Sequence, residues 1–301
     1  MDHLVGLFQY DFLRHAVLAG TIVAITAGAL GYFVVLRQLS FAAHALAHIG
    51  FSGATGAVWL GLNLVAGMVA FTVAAAIGIG ALGDRLRGRD VAIGTVLAFV
   101  TGLGYLFVSQ TTRLAGRATS ILFGDLLAIS AESVVVTAVL GALSVLVLGA
   151  IYRPLLFASV DPAVAATRGV PVRLVGIGFL ILLAITVSTS VQVVGVLLIF
   201  ALLVTPAATA QRLTAHPGRS LALSVVFAVV SVWAGLVLAV LIPWPPSFFI
   251  TAVSFAIYLL VVWRVPSLGS PIARSSRRTV KPPSRPARDS LPAERPTSPL
   301  G

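Results

Sequence analysis

Two histidines stand four residues apart in the segment SFAAHALAHIG, at His44 and His48. On a helix this spacing puts both imidazoles on one side. Two neutral imidazoles can share a borderline divalent ion such as Zn²⁺, and they fill half of a tetrahedral site. A half-filled site suits an ion that must leave as readily as it enters. Ionisable side chains inside apolar helices usually face an interior or a pathway. The same spacing fits two packing or interface histidines, so both readings stay open at this point.

The other polar groups are few. Asp84 and Asp90 flank Arg85, Arg87 and Arg89 and read as a solvated loop with local ion pairs. Asp125 and Glu132 fall near the outer start of an apolar run. Either could line an entry vestibule, but a helix-start charge is the commoner explanation. Between residues 152 and 173 runs YRPLLFASVDPAVAATRGVPVR, the longest internal connection. Asp161 before Pro162 reads as an N-cap with proline at the first helical position; an Ala-rich turn through Ala166 follows, and Gly169 ends it. A capped helix of this kind is something a soluble partner could grip, or else an ordinary structured linker.

Missing chemistry narrows the field. The sole lysine is Lys281, so no GxxxxGK[ST] phosphate loop exists and ATP cannot be hydrolysed by that route. HExxH, GxSxG and a strand-to-helix GxGxxG are also lacking, and no nucleophile–base pair declares itself, so no enzyme is expected. The chain has no cysteine, which removes disulfides and thiolate metal ligands.

The elements that must carry these residues are membrane helices. Apolar residues make up 58% of the 301 and charged ones only 10%, with a mean hydropathy of +1.06. A soluble surface needs about 25% charge, so the chain belongs in a bilayer. A span takes about 20 apolar residues. Nine spans are expected, near 12–36, 41–60, 65–82, 91–109, 129–150, 173–189, 191–211, 220–241 and 248–265. Eight is the alternative, because only Ser188, Thr189, Ser190 and Gln192 interrupt the pair around residue 190. Gly- and Ala-rich stretches such as AGTIVAITAGALG favour close helix packing into an all-α polytopic bundle.

Orientation follows from the arginines. With the C-terminus inside, Arg37, Arg85, Arg87, Arg89, Arg153, Arg168, Arg173, Arg212, Arg219 and Arg264 are cytoplasmic, whereas Arg14, Arg113 and Arg117 are outside. That imbalance places the N-terminus out. Trp244, in the outer turn PWPP, suits an interfacial anchor. Residues 1–11 make a short outer N-terminus, retained because no basic region precedes the apolar run. Residues 12–265 form the membrane domain, and 266–301 a disordered basic, Pro-rich cytoplasmic tail. Nucleic acid is not an expected partner, since the basic residues sit where membrane topology explains them.

The stretches VVLRQLSFAAHALAHIGFSG (34–53), DVAIGTVLAFVTGLG (90–104), ILFGDLLAIS (121–130), DPAVAATRGVPV (161–172) and VVGVLLIFALLVTPAATAQRL (193–213), in this order, resemble the permease subunit of ATP-binding-cassette importers for zinc, manganese or iron. The resemblance, to the ABC-3 membrane-protein family, covers about residues 10–265. It implies that His48 matches a histidine of the transit metal site and that His44 takes a position usually held by Asp. An imidazole there keeps a ligand, drops a charge and favours Zn²⁺ over Mn²⁺. The resemblance further implies that Asp161, Pro162, Ala166 and Gly169 belong to the surface that docks on the ATPase. Pro206, within LLVTPAATA, is expected to kink its helix, with Thr205 helping to satisfy the freed carbonyl.

The expected protein is therefore a non-catalytic, multi-pass permease of the cell membrane, half of a homodimer. It works with a P-loop ATPase and an extracytoplasmic metal-binding protein, and passes Zn²⁺, or Mn²⁺ or Fe²⁺, without a permanently bound cofactor. Two other classes compete. An ion-coupled secondary transporter would need a central carboxylate or broken-helix site. A permease for a chelated metal or small organic substrate would need a wider aromatic-lined path than 25 aromatic residues in 301 suggest.

Overall fold

Without water, backbone N–H and C=O groups in a bilayer must be satisfied within the chain, and helices do this segment by segment. The computed structural model describes residues 11–82, 89–110, 122–124 and 126–264, and all its regular structure there is helical. The helices are α1 (Asp11–Leu36), α2 (Ser40–Trp59), α3 (Leu64–Leu82), α4 (Arg89–Ser109), α5 (Ala131–Val160), α6 (Pro162–Thr167), α7 (Val172–Leu213), α8 (Pro217–Leu241) and α9 (Pro246–Arg264). Asp125, Asp84 with Arg85 and Arg87, Arg113, Arg117 and the expected tail lie outside the described residues.

Two helices form the centre. Val23, Ala24, Ala27, Leu30 and Phe33 of α1 pack with Leu183, Val187, Leu198, Ile199 and Leu202 of α7, all fully buried. Around them, α3, α4, α5 and α9 turn large apolar side chains outward, among them Phe71, Phe99, Val139, Leu146, Leu260 and Trp263. Water would penalise this surface by roughly 25 cal/mol per Å²; lipid does not. Small residues bring the helices close. At Gly28 an added Cβ would lie 2.8 Å from Val225 Cα of α8, and the Ser224 hydroxyl donates to the Gly28 carbonyl at 2.7 Å.

The 42 residues of α7 would reach about 63 Å if straight, twice a bilayer core. They do not run straight. Gly195 breaks the helix at φ 83°, ψ 163°, dividing it into α7a (172–194) and α7b (196–213). Near one end of α7, Arg37 lies over the Phe179 ring at 6.0 Å; near the other, Gln211 Nε2 donates to the Tyr32 carbonyl at 2.9 Å. Both contacts are made at the C-terminal end of α1. The break abuts Gly124, close in sequence to Leu126, which packs near Gly20 towards the other end of α1. The segment is thus a helical hairpin.

Seven described helices are long and apolar enough to cross a membrane, against nine expected spans. The hairpin counts once, and α2, diluted by His, Ser and Gly, falls below the hydropathy of a conventional span. The hairpin also turns later than expected. Ser188 and Thr189 stay helical because their hydroxyls bond back to the Ala184 and Ile185 carbonyls, at 2.8 and 3.1 Å; only the glycine reaches the left-handed dihedral that breaks the helix. Likewise α5 continues through Pro154 to Val160, past the expected end near 150, since Leu155 and Ala158 still find buried packing.

Candidate functional site

The turn that launches α2 is tight. Leu39 N–H bonds to the Val34 carbonyl (2.8 Å) and Gln38 N–H to the Val35 carbonyl (3.1 Å), with Gln38 left-handed at φ 56°. This Schellman-type closure lets α2 begin at Ser40 after a turn of only three residues. His44 and His48 follow within two turns. His48 sits about 12 Å along the axis from the helix start, inside the expected membrane span.

The two imidazoles are half-buried, with ring centroids 4.6 Å apart and planes crossing at 66°. Phe200 of α7b lies edge-on to His44 at 4.9 Å. His44 Nδ1 is buried with no hydrogen-bond partner among the described residues. Such an atom ordinarily costs stability, so it is a free ligand position in a sheltered place. Two nitrogens on one Zn²⁺ lie roughly 3.3 Å apart when each bond is about 2.05 Å, shorter than the 4.6 Å between these ring centroids. Among the described residues no group of three or more His, Cys, Asp or Glu side chains could hold an ion.

One turn further along the same face, Ser52 spends its hydroxyl on the Val100 carbonyl of α4 at 2.7 Å. Beside that carbonyl, Thr101 Oγ1 is buried and unpartnered among the described residues. Neither Phe200 nor the Gly195 break was visible in the sequence: both sit inside an unbroken apolar run, and no spacing marks them.

At the segment 161–169, Asp161 Oδ1 accepts the Val164 N–H at 2.9 Å, Pro162 opens α6, and Gly169 closes it at φ 80° with Val170 N–H on the Ala165 carbonyl. Ala165 is buried as a foot, whereas Pro162, Val164, Ala166 and Gly169 are exposed. The Arg173 guanidinium reaches the Ala81 carbonyl at 3.4 Å, so the end of α3 and the start of α7 share this face. Glu132 is exposed in the first turn of α5, behind a cap in which Ser130 Oγ accepts the Ser133 N–H at 3.2 Å. The structure does not bring it to the histidines. Pro206 is buried within α7b; the non-helical dihedrals of α7 are at Gly195, and the nearby hydroxyl bond is Thr209 Oγ1 to the Thr205 carbonyl at 2.7 Å.

Among the described residues the structure is an all-helical bundle with seven helices long and apolar enough to cross a membrane, a half-buried imidazole pair and a short capped helix. A profile of the ABC 3 transport family matches residues 9–265, and the chain belongs to that family. It is a multi-pass membrane component and not the hydrolysing subunit. The chain is 33% identical over 237 residues to the manganese transport system membrane protein MntC of Listeria innocua, covering 78% of this chain and 84% of that one. It is 35% identical over 216 residues to the manganese import system permease protein ScaB of Streptococcus pneumoniae, covering 69% and 74%. Among solved structures it is similar to PsaBC from Streptococcus pneumoniae in complex with Fab, with a TM-score of 0.80 at 28% identity over 88% of this chain and 96% of that one.

Proposed function

We propose that the chain is the permease subunit of an ATP-driven importer for a divalent first-row transition metal, with Zn²⁺ the preferred cargo. The observation that carries this reading is the His44–His48 pair, with ring centroids 4.6 Å apart and Nδ1 of His44 buried and unpartnered among the described residues. Neutral imidazoles suit Zn²⁺, whereas Mn²⁺ prefers oxygen donors. Manganese is the second reading, favoured by the names of the relatives.

In this reading the ion enters from an extracytoplasmic metal-binding protein, is held briefly by the two imidazoles, and leaves when the helices shift. The chain makes and breaks no covalent bond. A cytoplasmic P-loop ATPase supplies the motion through α6, with Asp161 and Pro162 holding the helix start, Ala166 on the contact face and Gly169 at its end. A second copy of the chain completes the translocation unit. The hairpin and α2 together with the other long helices give nine crossings, N-terminus outside and C-terminus inside. Residues 12–265 form the membrane domain, and 266–301 a cytoplasmic tail. Asp125 and Glu132 belong to the outer entrance, and Pro206 gives α7b its bend.

The test is competition. ATP-driven uptake of labelled Zn²⁺ into vesicles holding the complete complex is measured against excess Mn²⁺ or Fe²⁺. Zinc uptake that resists manganese supports the preference. Manganese uptake that resists zinc moves the cargo to the second reading, and no ATP-driven uptake of any of the three sinks the metal assignment.

A further inference from the structure

A crevice of about 540 Å³ opens between α1, α5 and α8, lined by none of the residues around the histidine pair. Its floor is Ala29 of α1, and its walls are α5 and α8. It exists because the walls are locally small: Gly149 and Ala150 on α5 and Gly218 on α8 leave room that larger side chains would fill. Leu148 and Leu221 make the interior apolar. The volume lies within the range of small-ligand sites.

The polar end is Arg153, exposed, next to Tyr152. No carboxylate on the lining helices answers this charge. The only acid of α5 is Glu132, in its first turn at the far end of the helix, and the only acid of α1 is Asp11, also at the far end. Helix α8 has none. A cation on a membrane helix normally pairs with something. The first turn of α8 adds to the positive field, since it starts without a side-chain cap and carries the exposed Arg219. An apolar slot with exposed arginine charge at its polar end is complementary to a molecule with an anionic head and an aliphatic tail. In a bilayer that molecule is an anionic phospholipid, and Arg is well suited to its phosphate.

We propose that this crevice holds one anionic phospholipid, its phosphate against Arg153 and the first turn of α8, and one acyl chain along Leu148 and Leu221. The lipid wedges between α5 and α8, above Ala29 of α1. The site is independent of which cargo the transporter carries.

The full chain, stripped of lipid in neutral detergent, is offered phosphatidylglycerol or phosphatidylcholine, and bound lipids per chain are counted by native mass spectrometry. One phosphatidylglycerol per chain is expected, retained about five-fold better than phosphatidylcholine, the gain from roughly one basic contact at a membrane surface. Arg153→Gln reduces retention to the phosphatidylcholine level, and Gly149→Leu, which fills the slot, lowers both. Arg264→Gln, an arginine off the crevice, changes nothing. Equal retention of the two lipids, or retention indifferent to Arg153→Gln, overturns the site, and that exposed substitution keeps the test alive if Gly149→Leu misfolds. The chain has no cysteine, so Gly149→Cys can be crosslinked cleanly in native membranes. Efficient crosslinking to a second copy would also overturn it, because protein and not lipid would then cover the crevice.

Discussion

His44 and His48 share a helix face but not an environment. Phe200 packs edge-on to His44, and Nδ1 of His44 is buried without a partner among the described residues. The site's chemistry then depends on what replaces each ring. His44→Asp supplies a charged oxygen donor and should move the cargo preference towards Mn²⁺ by about ten-fold, the lower end of what changes around a metal site usually produce. Competition uptake with the variant complex checks this, and an unchanged preference would mean His44 does not touch the ion. The spacing of the pair was legible in the sequence because a four-residue interval fixes which helix face two residues share. The sheltering by Phe200 was not, because it depends on how α7b folds back against α2.

At the scale of elements, the hairpin in α7 and the cap of α6 are the informative cases. Gly195 takes a left-handed dihedral, and a Cβ there would collide with the backbone at Gly124 and Phe123. Gly195→Ala should therefore destabilise the protein by at least the 1–3 kcal/mol of roughly one strained residue, read as a lower unfolding temperature in detergent. A variant as stable as the parent would place the turn elsewhere. Polar residues 188–192 look like the natural break in a sequence, but serine and threonine return their hydroxyls to the helix carbonyls, so polarity misleads about where a membrane helix bends. The α6 cap was legible because Asp followed by Pro has one common helical use. Asp161→Ala should cost the local helix about 0.5–2 kcal/mol, whereas Asp161→Asn should cost little. If α6 is the coupling element, the alanine variant loses the ATPase on purification and the asparagine variant retains it. Full copurification of both removes α6 from the interface.

For the whole molecule, composition alone required a membrane, and the outward-facing apolar side chains of α3, α4, α5 and α9 agree with it. Helix count was harder: read from sequence, the apolar run splits near residue 190 and 41–60 counts as a span. Instead seven described helices are long and apolar enough to cross, the run being one helix broken at Gly195 and α2 too polar. The nine-crossing reading predicts that α6 and the 242–245 turn lie on opposite sides. In this cysteine-free chain, Ala166→Cys should react with an impermeant maleimide only from the cytoplasm, and Trp244→Cys only from outside. Labelling of both from one side would contradict that topology. The central claim is that a driven metal ion passes the imidazole pair. It is tested most directly by ATP-dependent uptake of labelled Zn²⁺ into vesicles carrying the intact complex, compared between the parent chain and His48→Ala with ATPase content matched. Loss of nearly all uptake, with the ATPase still bound, is the predicted result; parental uptake in the variant would contradict the account.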